Sequence, residues 1–401
     1  MANNNTIKTN SLAELVTARA AESAYYFTVG SKKYFKDQLV GKRNGQTYRF
    51  VIRDVGGAYE GLAADIANDK IDITEREVSL TIRDFRVMIN ANAIESITDI
   101  DWDPEIAEPN GQKLANKAVQ AVMASDFGKV GTCFVGCGFA PLSRASGHLS
   151  SITTEDLYGF CDPNVEAILT SNGQQFVPVS APDMYSKGLL GKFHGAEYRS
   201  QRFFPSVSIS TGKEFDGGAV TVTSYTAGTS YDTIVLGATT LTSSLKKGTP
   251  IFIEGVYATD TVGDPTSMLH SFIVLEDATA SSNAITIKVP HIDLAGEGTK
   301  EVSKADGSVW TAATIAGLKV SVPEDGIYYM GIVRAPAAFE FETLDKLEAA
   351  GADYEKVSAE GLNVHKNQLV DLEKMTNYTR FDLPVLAGTV EPRLVAMFLI
   401  K

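Results

Sequence analysis

The segment Asp99-Ile-Asp-Trp-Asp-Pro-Glu sets acids at alternating positions, the opening pattern of a loop that wraps calcium. Such a loop also needs glycine at its sixth position and glutamate at its twelfth. Pro104 and Asn110 stand there instead. The acids therefore read as a solvated turn before a helix, where negative charge favours the helix start. Ile100 and Trp102 are placed to anchor that turn. Gly128, Gly131, Gly136 and Gly138 crowd one stretch, but a phosphate loop closes on Gly-Lys-Ser/Thr, and Lys129 is followed by Val130. The dinucleotide glycine motif, the GxSxG elbow and the HExxH zinc motif are all missing.

Cys133 and Cys137 are four apart, which is neither a redox CxxC pair nor half of a usual zinc site. Together with Cys161 they read as buried thiols of a reducing cell. His148, His194, His270, His291 and His365 fall in different elements, so no nucleophile–base pair can be named. No catalytic residue, cofactor or metal ligand is assigned. Triads assemble in space, so a hydrolase using Asp and Glu residues stays open as an alternative.

The elements that carry these residues suggest a different kind of function. At 401 residues the chain exceeds one ordinary core, and two or three domains are expected. Net charge is −13, and the densest basic stretch, from Ser31-Lys-Lys-Tyr-Phe-Lys to Lys42-Arg43, is short and interrupted. That balance argues against a protein whose task is gripping nucleic acid. No run approaches the roughly 20 apolar residues that span a bilayer. The polar start, Met1-Ala-Asn-Asn-Asn-Thr, does not look like a secretion signal, so synthesis in the cytoplasm is expected.

Ser11 and Glu14 form a capping box ahead of Leu12, Leu15 and Val16, which predicts a short amphipathic helix ending near Gly30. With polar residues before it, that helix reads as an arm outside the packed core. Gln46 to Val55 and Ile71 to Ile82 read as two long strands around a Gly56-Gly57 tip. Such a hairpin is poorly buried alone, and Tyr48, Arg49, Arg53, Asp54, Tyr59 and Glu60 become candidates for contact with another subunit. Glu105 to Phe127 has helical period, with Leu114, Ala118, Ala121, Val122 and Ser125 on one stripe. A strand is expected around Cys133-Phe-Val. Thr153 and Asp156 then open a predicted helix through Leu157, Phe160 and Cys161, with another over Val165 to Leu169.

From Gly218 the composition shifts to short strands at Ala219, Thr233, Ile251, Phe272 and Ile285, separated by Gly, Ser, Asp and Asn turns. This predicts a small all-β barrel or sandwich inserted over residues 218–311. Afterwards Ile327 to Val333 reads as an interior strand, Phe341 to Ala350 as a turn or two of helix, and Val364 to Leu372 as a strand. The apolar run Leu394 to Ile400 reads as a buried closing strand.

The order of parts resembles the major capsid proteins of tailed phages with the Hong Kong 97-type fold. It is most similar to a short-tailed-phage subgroup that carries an inserted β domain. Leu245-Lys-Lys-Gly-Thr-Pro-Ile-Phe-Ile-Glu-Gly-Val-Tyr, Phe272-Ile-Val-Leu-Glu-Asp-Ala, Lys113-Leu-Ala-Asn-Lys-Ala-Val and Phe176-Val-Pro-Val-Ser-Ala-Pro-Asp-Met-Tyr carry the likeness. Thr249-Pro250 departs from it, since an acid commonly follows that glycine. The resemblance implies an α+β fold with an N-terminal arm (1–30), an E-loop hairpin with peripheral strands (31–90) and a peripheral domain with a spine helix (91–140). An axial domain (141–217) interrupted by the inserted β domain (218–311), with the axial remainder and closing peripheral strands in 312–401, completes it.

The implied function is an icosahedral shell of hexamers and pentamers of this chain that encloses double-stranded DNA in a virion. Scaffolding, portal and decoration proteins are its implied partners, and neither a membrane nor catalysis is involved. Alternatives are an encapsulin-like bacterial compartment shell and a β-rich phage surface binding protein.

Overall fold

The computed structural model describes residues 2–33, 47–55, 73–92, 106–173, 191–211, 214–215, 219–292, 294, 301–345, 353–371 and 376–401. It is a mixed fold with β-rich sheets, divided into two compact units. The first unit comprises Met1–Phe50, Val78–Ser125 and Phe339–Gly388, and the second comprises the remainder. The acidic segment 99–105 and the stretch 176–185 lie outside the described residues.

In the first unit α1 (Ala2–Ser23) and α2 (Tyr25–Thr28) differ from the expected arm. The helix starts nine residues before the Ser11 cap, so Ser11 sits in its interior. Leu12, Ala13, Val16, Ala20, Ala24 and Phe27 are buried. The reason is the alanine-rich face, which allows close approach. The Cβ that Gly111 lacks would stand 2.7 Å from the Val16 carbonyl oxygen and 2.9 Å from Arg19 Cβ. Gly111 belongs to α3 (Glu108–Asp126), whose buried face also includes Leu114, Ala115, Ala118, Val119 and Val122. The predicted stripe is rotated slightly, leaving Ser125 exposed. Gly111→Val should cost about 1–3 kcal/mol through overpacking at this backbone contact. Urea unfolding measures the loss, and an unchanged midpoint would reject the close crossing.

The first unit's sheet has the order β19 (Phe339–Thr343), β22 (Thr376–Thr389), β21 (Leu362–Asp371), β20 (Asp353–Ala359), with β3 (Arg83–Asn92) also paired to β22. Glu360 and Gly361 both have positive φ (48° and 82°), which suits the tight turn joining β20 to β21. The helix expected from Phe341 is replaced by strand β19. Phe-Glu-Phe-Glu-Thr has period two, and Phe341 stacks on Phe27 at 5.2 Å and 2°. Residues 346–350 of that prediction lie outside the described residues. β1 (Thr47–Val55) and β2 (Ile73–Thr81) make a two-stranded sheet, and their chain straddles the boundary between units.

The second unit holds a seven-stranded sheet. Its order is β4 (Thr132–Gly136), β23 (Val395–Ile400), β18 (Gly326–Arg334), β5 (Leu157–Cys161), β7 (Ala196–Ser200), β6 (Gly191–Phe193), and β8 (Ser206–Ile209) also pairs with β18. α4 (Ala140–Ile152) packs on β4 and β23, and α5 (Pro163–Gly173) packs near β18. The predicted helix over Thr153 to Cys161 is therefore a strand, β5. Burial overrides the local cap signal, because Leu157, Phe160 and Cys161 lie between β18 and β7. The true helix, α4, lies just before it and was not expected.

Between β8 and β18 the chain builds a barrel. Its strands are β9 (Thr221–Thr226), β10 (Tyr231–Gly237), β11 (Ser244–Leu245), β12 (Pro250–Thr259), β13 (Pro265–Ile273), β14 (Ala278–Thr279), β15 (Ala284–Pro290), β16 (Val302–Ser303) and β17 (Val320–Ser321). A short helix, α6 (Ala312–Ile315), precedes β17 and is opened by a Thr311–Thr314 capping box. β9, β10 and β15 pair in sequence, and the Leu275 amide bonds Lys288 oxygen at 2.9 Å, linking β15 to the chain just after β13. β13 pairs with β12 and β12 with β17. The Val320 amide on Val220 oxygen (3.0 Å) then returns to β9 and closes the ring. Val222, Ile234, Ile251, Phe272, Ile287 and Val320 share one buried cluster.

The barrel leaves the sheet through a narrow neck. Ile209 on β8 pairs with Gly326 on β18, and next to this pair the Thr211 amide donates to Asp325 Oδ1 at 2.8 Å.

Candidate functional site

The predicted contact residues fall on the β1–β2 hairpin. Tyr48 is half-buried and Arg49 exposed, and Arg53 and Asp54 lie on β1. Tyr59 and Glu60, with the Gly56-Gly57 tip, lie outside the described residues. On β2, Ser79 and Thr81 are exposed while Leu80 is buried, the alternation of a strand with one covered face. The hairpin pairs with no other strand among the described residues.

The thiols differ from the sequence reading in one respect. Cys133 and Cys161 are buried, but Cys137 is exposed. Burial pushes the Cys133 thiol well above its ordinary range, and it does the same at Cys161, with Glu166 and Asp162 adding to the effect. Neither buried thiol is a thiolate nucleophile near neutral pH. His148 is buried against Phe134 at 5.8 Å, and burial holds its imidazole down to about 4. His365 is also buried, with Nε2 on the Leu344 carbonyl at 2.9 Å and Nδ1 at 2.6 Å from the Tyr354 hydroxyl. A carbonyl only accepts, so Nε2 carries the proton and Nδ1 accepts from the tyrosine. Among the described residues no group of three His, Cys, Asp or Glu is arranged to hold a metal ion. No described helix is long and apolar enough to cross a membrane.

The strongest polar constellation was not foreseen. Tyr225 on β9, Asp232 on β10 and His291 just after β15 converge on one carboxylate. Asp232 is fully buried. Its Oδ1 accepts from the Gly228 amide at 2.9 Å and lies 2.8 Å from His291 Nδ1. Its Oδ2 accepts from the Ile292 amide at 2.9 Å and from the Tyr225 hydroxyl. Burial pushes this acid up, and the four donors together outweigh burial and hold it below the ordinary carboxylate range. Burial, then Asp232, push the Tyr225 hydroxyl the opposite way.

Every donor faces the anion, so the cluster straps three strands together and leaves no hydroxyl activated for attack. Because the folded value is depressed, this contribution is complete above the ordinary aspartate pKa of about 3.9 and is lost as pH falls through the folded value. Asp232→Asn sets an amide among donors that need an acceptor, and should cost about 3 kcal/mol in urea unfolding at pH 7. A loss within experimental error would remove the strap. The only sequence signal is a tyrosine and an aspartate on either side of a hairpin turn.

A second buried pair fixes the closing strand. Arg393 Nε and NH2 meet Glu391 at 2.7 and 2.8 Å, and NH1 donates to the Asp260 carbonyl at 3.2 Å. The turn between β12 and β13 is thereby tied to the segment leading into β23.

No protein-family model and no curated protein matches the chain. Solved structures do resemble it. The capsid of Ralstonia phage GP4 is 8% identical, with 93% of this chain and 87% of that one covered, at a TM-score of 0.44. The capsid of cyanophage P-SCSP1u is 12% identical, with 92% and 89% covered, at 0.41. A virus-like particle from Pyrococcus furiosus is 8% identical, with 96% and 97% covered, at 0.36.

Proposed function

We propose that this chain is a major capsid protein that self-assembles into the icosahedral head of a tailed phage, around double-stranded DNA. The observation that carries the reading is the β1–β2 hairpin, a two-stranded ribbon that pairs with no other described strand. A ribbon that pairs with no other described strand keeps main-chain groups open along its edges, which a neighbouring copy can cover. The order of parts supports it: ribbon, long helix α3, mixed sheet, closed barrel, then return to the sheet. Within the Hong Kong 97-type layout the ribbon is the E-loop, α3 the spine helix and the barrel the inserted domain. A net charge of −13 suits a wall that must not adhere to the DNA it encloses. Many modest interfaces acting at once close such a shell without any catalytic step. Hexamers and pentamers of this chain, a scaffolding protein, a portal and a decoration protein are the partners this role entails.

Negative-stain microscopy of the concentrated protein tests the reading. Closed shells are expected, and a chain that stays monomeric at every concentration and with its scaffold opposes it. Arg53→Glu should leave melting unchanged while shell yield falls at least about tenfold, since like charges across a contact are repulsive. Normal particles from this variant would remove the hairpin from the interface.

We propose bounds of 214–322 for the inserted domain in place of 218–311; the pairing of β17 with β12 and the place of Ile315 and Val320 in the barrel cluster support them. Expressed alone, the longer piece should give dispersed NMR peaks and the shorter one collapsed peaks. The reverse outcome would contradict the ring closure.

A further inference from the structure

β4 is the outermost strand of the second unit's sheet, and the barrel's β13 packs against it. The Cys133 amide donates to Ser271 Oγ at 2.7 Å, and the Ser271 amide reaches Gly131 oxygen at 3.4 Å. Both side chains are buried. The preceding residue on β13 is His270, 3% exposed, edge-on to Phe272 at 4.9 Å. Its Nδ1 has no hydrogen-bond partner. The elements packed on β13 bring Glu254 and Tyr257 on β12, Cys133 on β4, Lys288 on β15, and Glu301 and Lys304 beside β16. None of them supplies a countercharge; burial alone acts on the ring and holds it down to about 3.

We propose that the β13–β4 junction is a proton-operated latch, in which charging His270 withdraws Ser271 from the Cys133 amide and releases β13 from β4. An imidazolium needs acceptors for two N–H groups, and this setting offers Nδ1 none. The charged ring has to reach solvent, and the next residue along the strand moves with it. The open form binds the proton more readily than the closed one. The junction is therefore fully stable above the ordinary histidine pKa of about 6.5 and weakens as pH falls from there toward the folded value. His148 on α4 packs against the same strand, with Cys133, Tyr158, Cys161, Tyr328, Tyr329 and Arg334 on the elements around it, and burial alone lowers it too. The latch does not depend on the shell reading.

Hydrogen–deuterium exchange of the full chain between pH 7.5 and 4.5, normalised to intrinsic rates, is the test. Peptides covering 130–136 and 268–274 should lose protection by roughly tenfold or more, while those of β21 and β22 keep theirs. His270→Gln should lower the midpoint by about one pH unit or more, and His148→Gln should leave it in place. The latch is overturned if His270→Gln opens at the wild-type pH, if His148→Gln alone abolishes the transition, or if the wild type stays protected throughout. Should His270→Gln lose cooperative folding at pH 7.5, histidine NMR of the unmodified chain decides. A His270 signal that titrates near its ordinary value with no change in exchange rejects the proposal.

Discussion

Cutting the chain before Leu394 should abolish folding of the second unit. β23 lies between β18 and β4, with Tyr329 opposite Ile400 on one flank and Phe398 beside Phe134 on the other. All six of its residues are buried. Burying its five larger side chains is worth roughly 1.5–3 kcal/mol each, so their joint loss is as large as the ~5–15 kcal/mol by which a whole domain is stable. The cut also removes the partner of two strands at once, leaving their amides and carbonyls unsatisfied. Thermal unfolding of the truncated and full-length chains is the measurement. A sharp transition near the full-length temperature would place the strand in an interface instead of a core.

Gly331→Ala should be a strongly damaging single methyl addition. Its Cβ would stand 2.1 Å from Phe398 Cζ and 2.8 Å from the Phe160 carbonyl oxygen. Phe398 and Tyr198 each lie across a glycine of the neighbouring strand, Gly331 and Gly159, and meet edge to face at 6.3 Å. An aromatic ring covering a strand glycine restores packing that the glycine itself cannot provide. The expected cost is about 3 kcal/mol, at the upper end for overpacking. Phe398→Ala should cost a similar amount by leaving a cavity. The double variant should lose clearly less than the two together, because the new methyl enters the vacated space. Strict additivity in urea unfolding would contradict the notch. Gly147→Ala, with open space around it on α4, is the control, and should be neutral or gain up to about 1 kcal/mol.

Elements with a regular residue pattern were legible in the sequence: the hairpin strands from β-branched and aromatic residues, α3 and the barrel strands from one covered face, and β18 and β23 from apolar runs. Errors arose where a local signal competed with tertiary context. Ser11 looks like a cap, yet the residues before it continue the helix, and alanines further on draw it against α3. Thr153 and Asp156 mimic a helix start, but Leu157 to Cys161 lie in the sheet interior, where strand neighbours decide. Phe339 to Thr343 alternates with period two, a strand signal that outweighs the helical signal beginning at Phe341. The Asp232 strap could not be derived, because its members come from three strands whose register only the closed ring fixes. The hairpin residues are named from their types and from the strand pattern around them, and Tyr59 and Glu60 lie outside the described residues.

The neck has a consequence for how this sheet could have acquired its barrel. Ile209 and Gly326 are paired neighbours, so everything between them begins and ends at one rung of a ladder. Topologically the whole excursion is a hairpin loop, and lengthening a loop costs only about 0.6 kcal/mol of closure entropy per doubling. A short turn and a complete folded body are therefore nearly interchangeable at this rung. Material could be added or exchanged here without altering strand order, and the position is a natural port for grafting a foreign domain onto the chain.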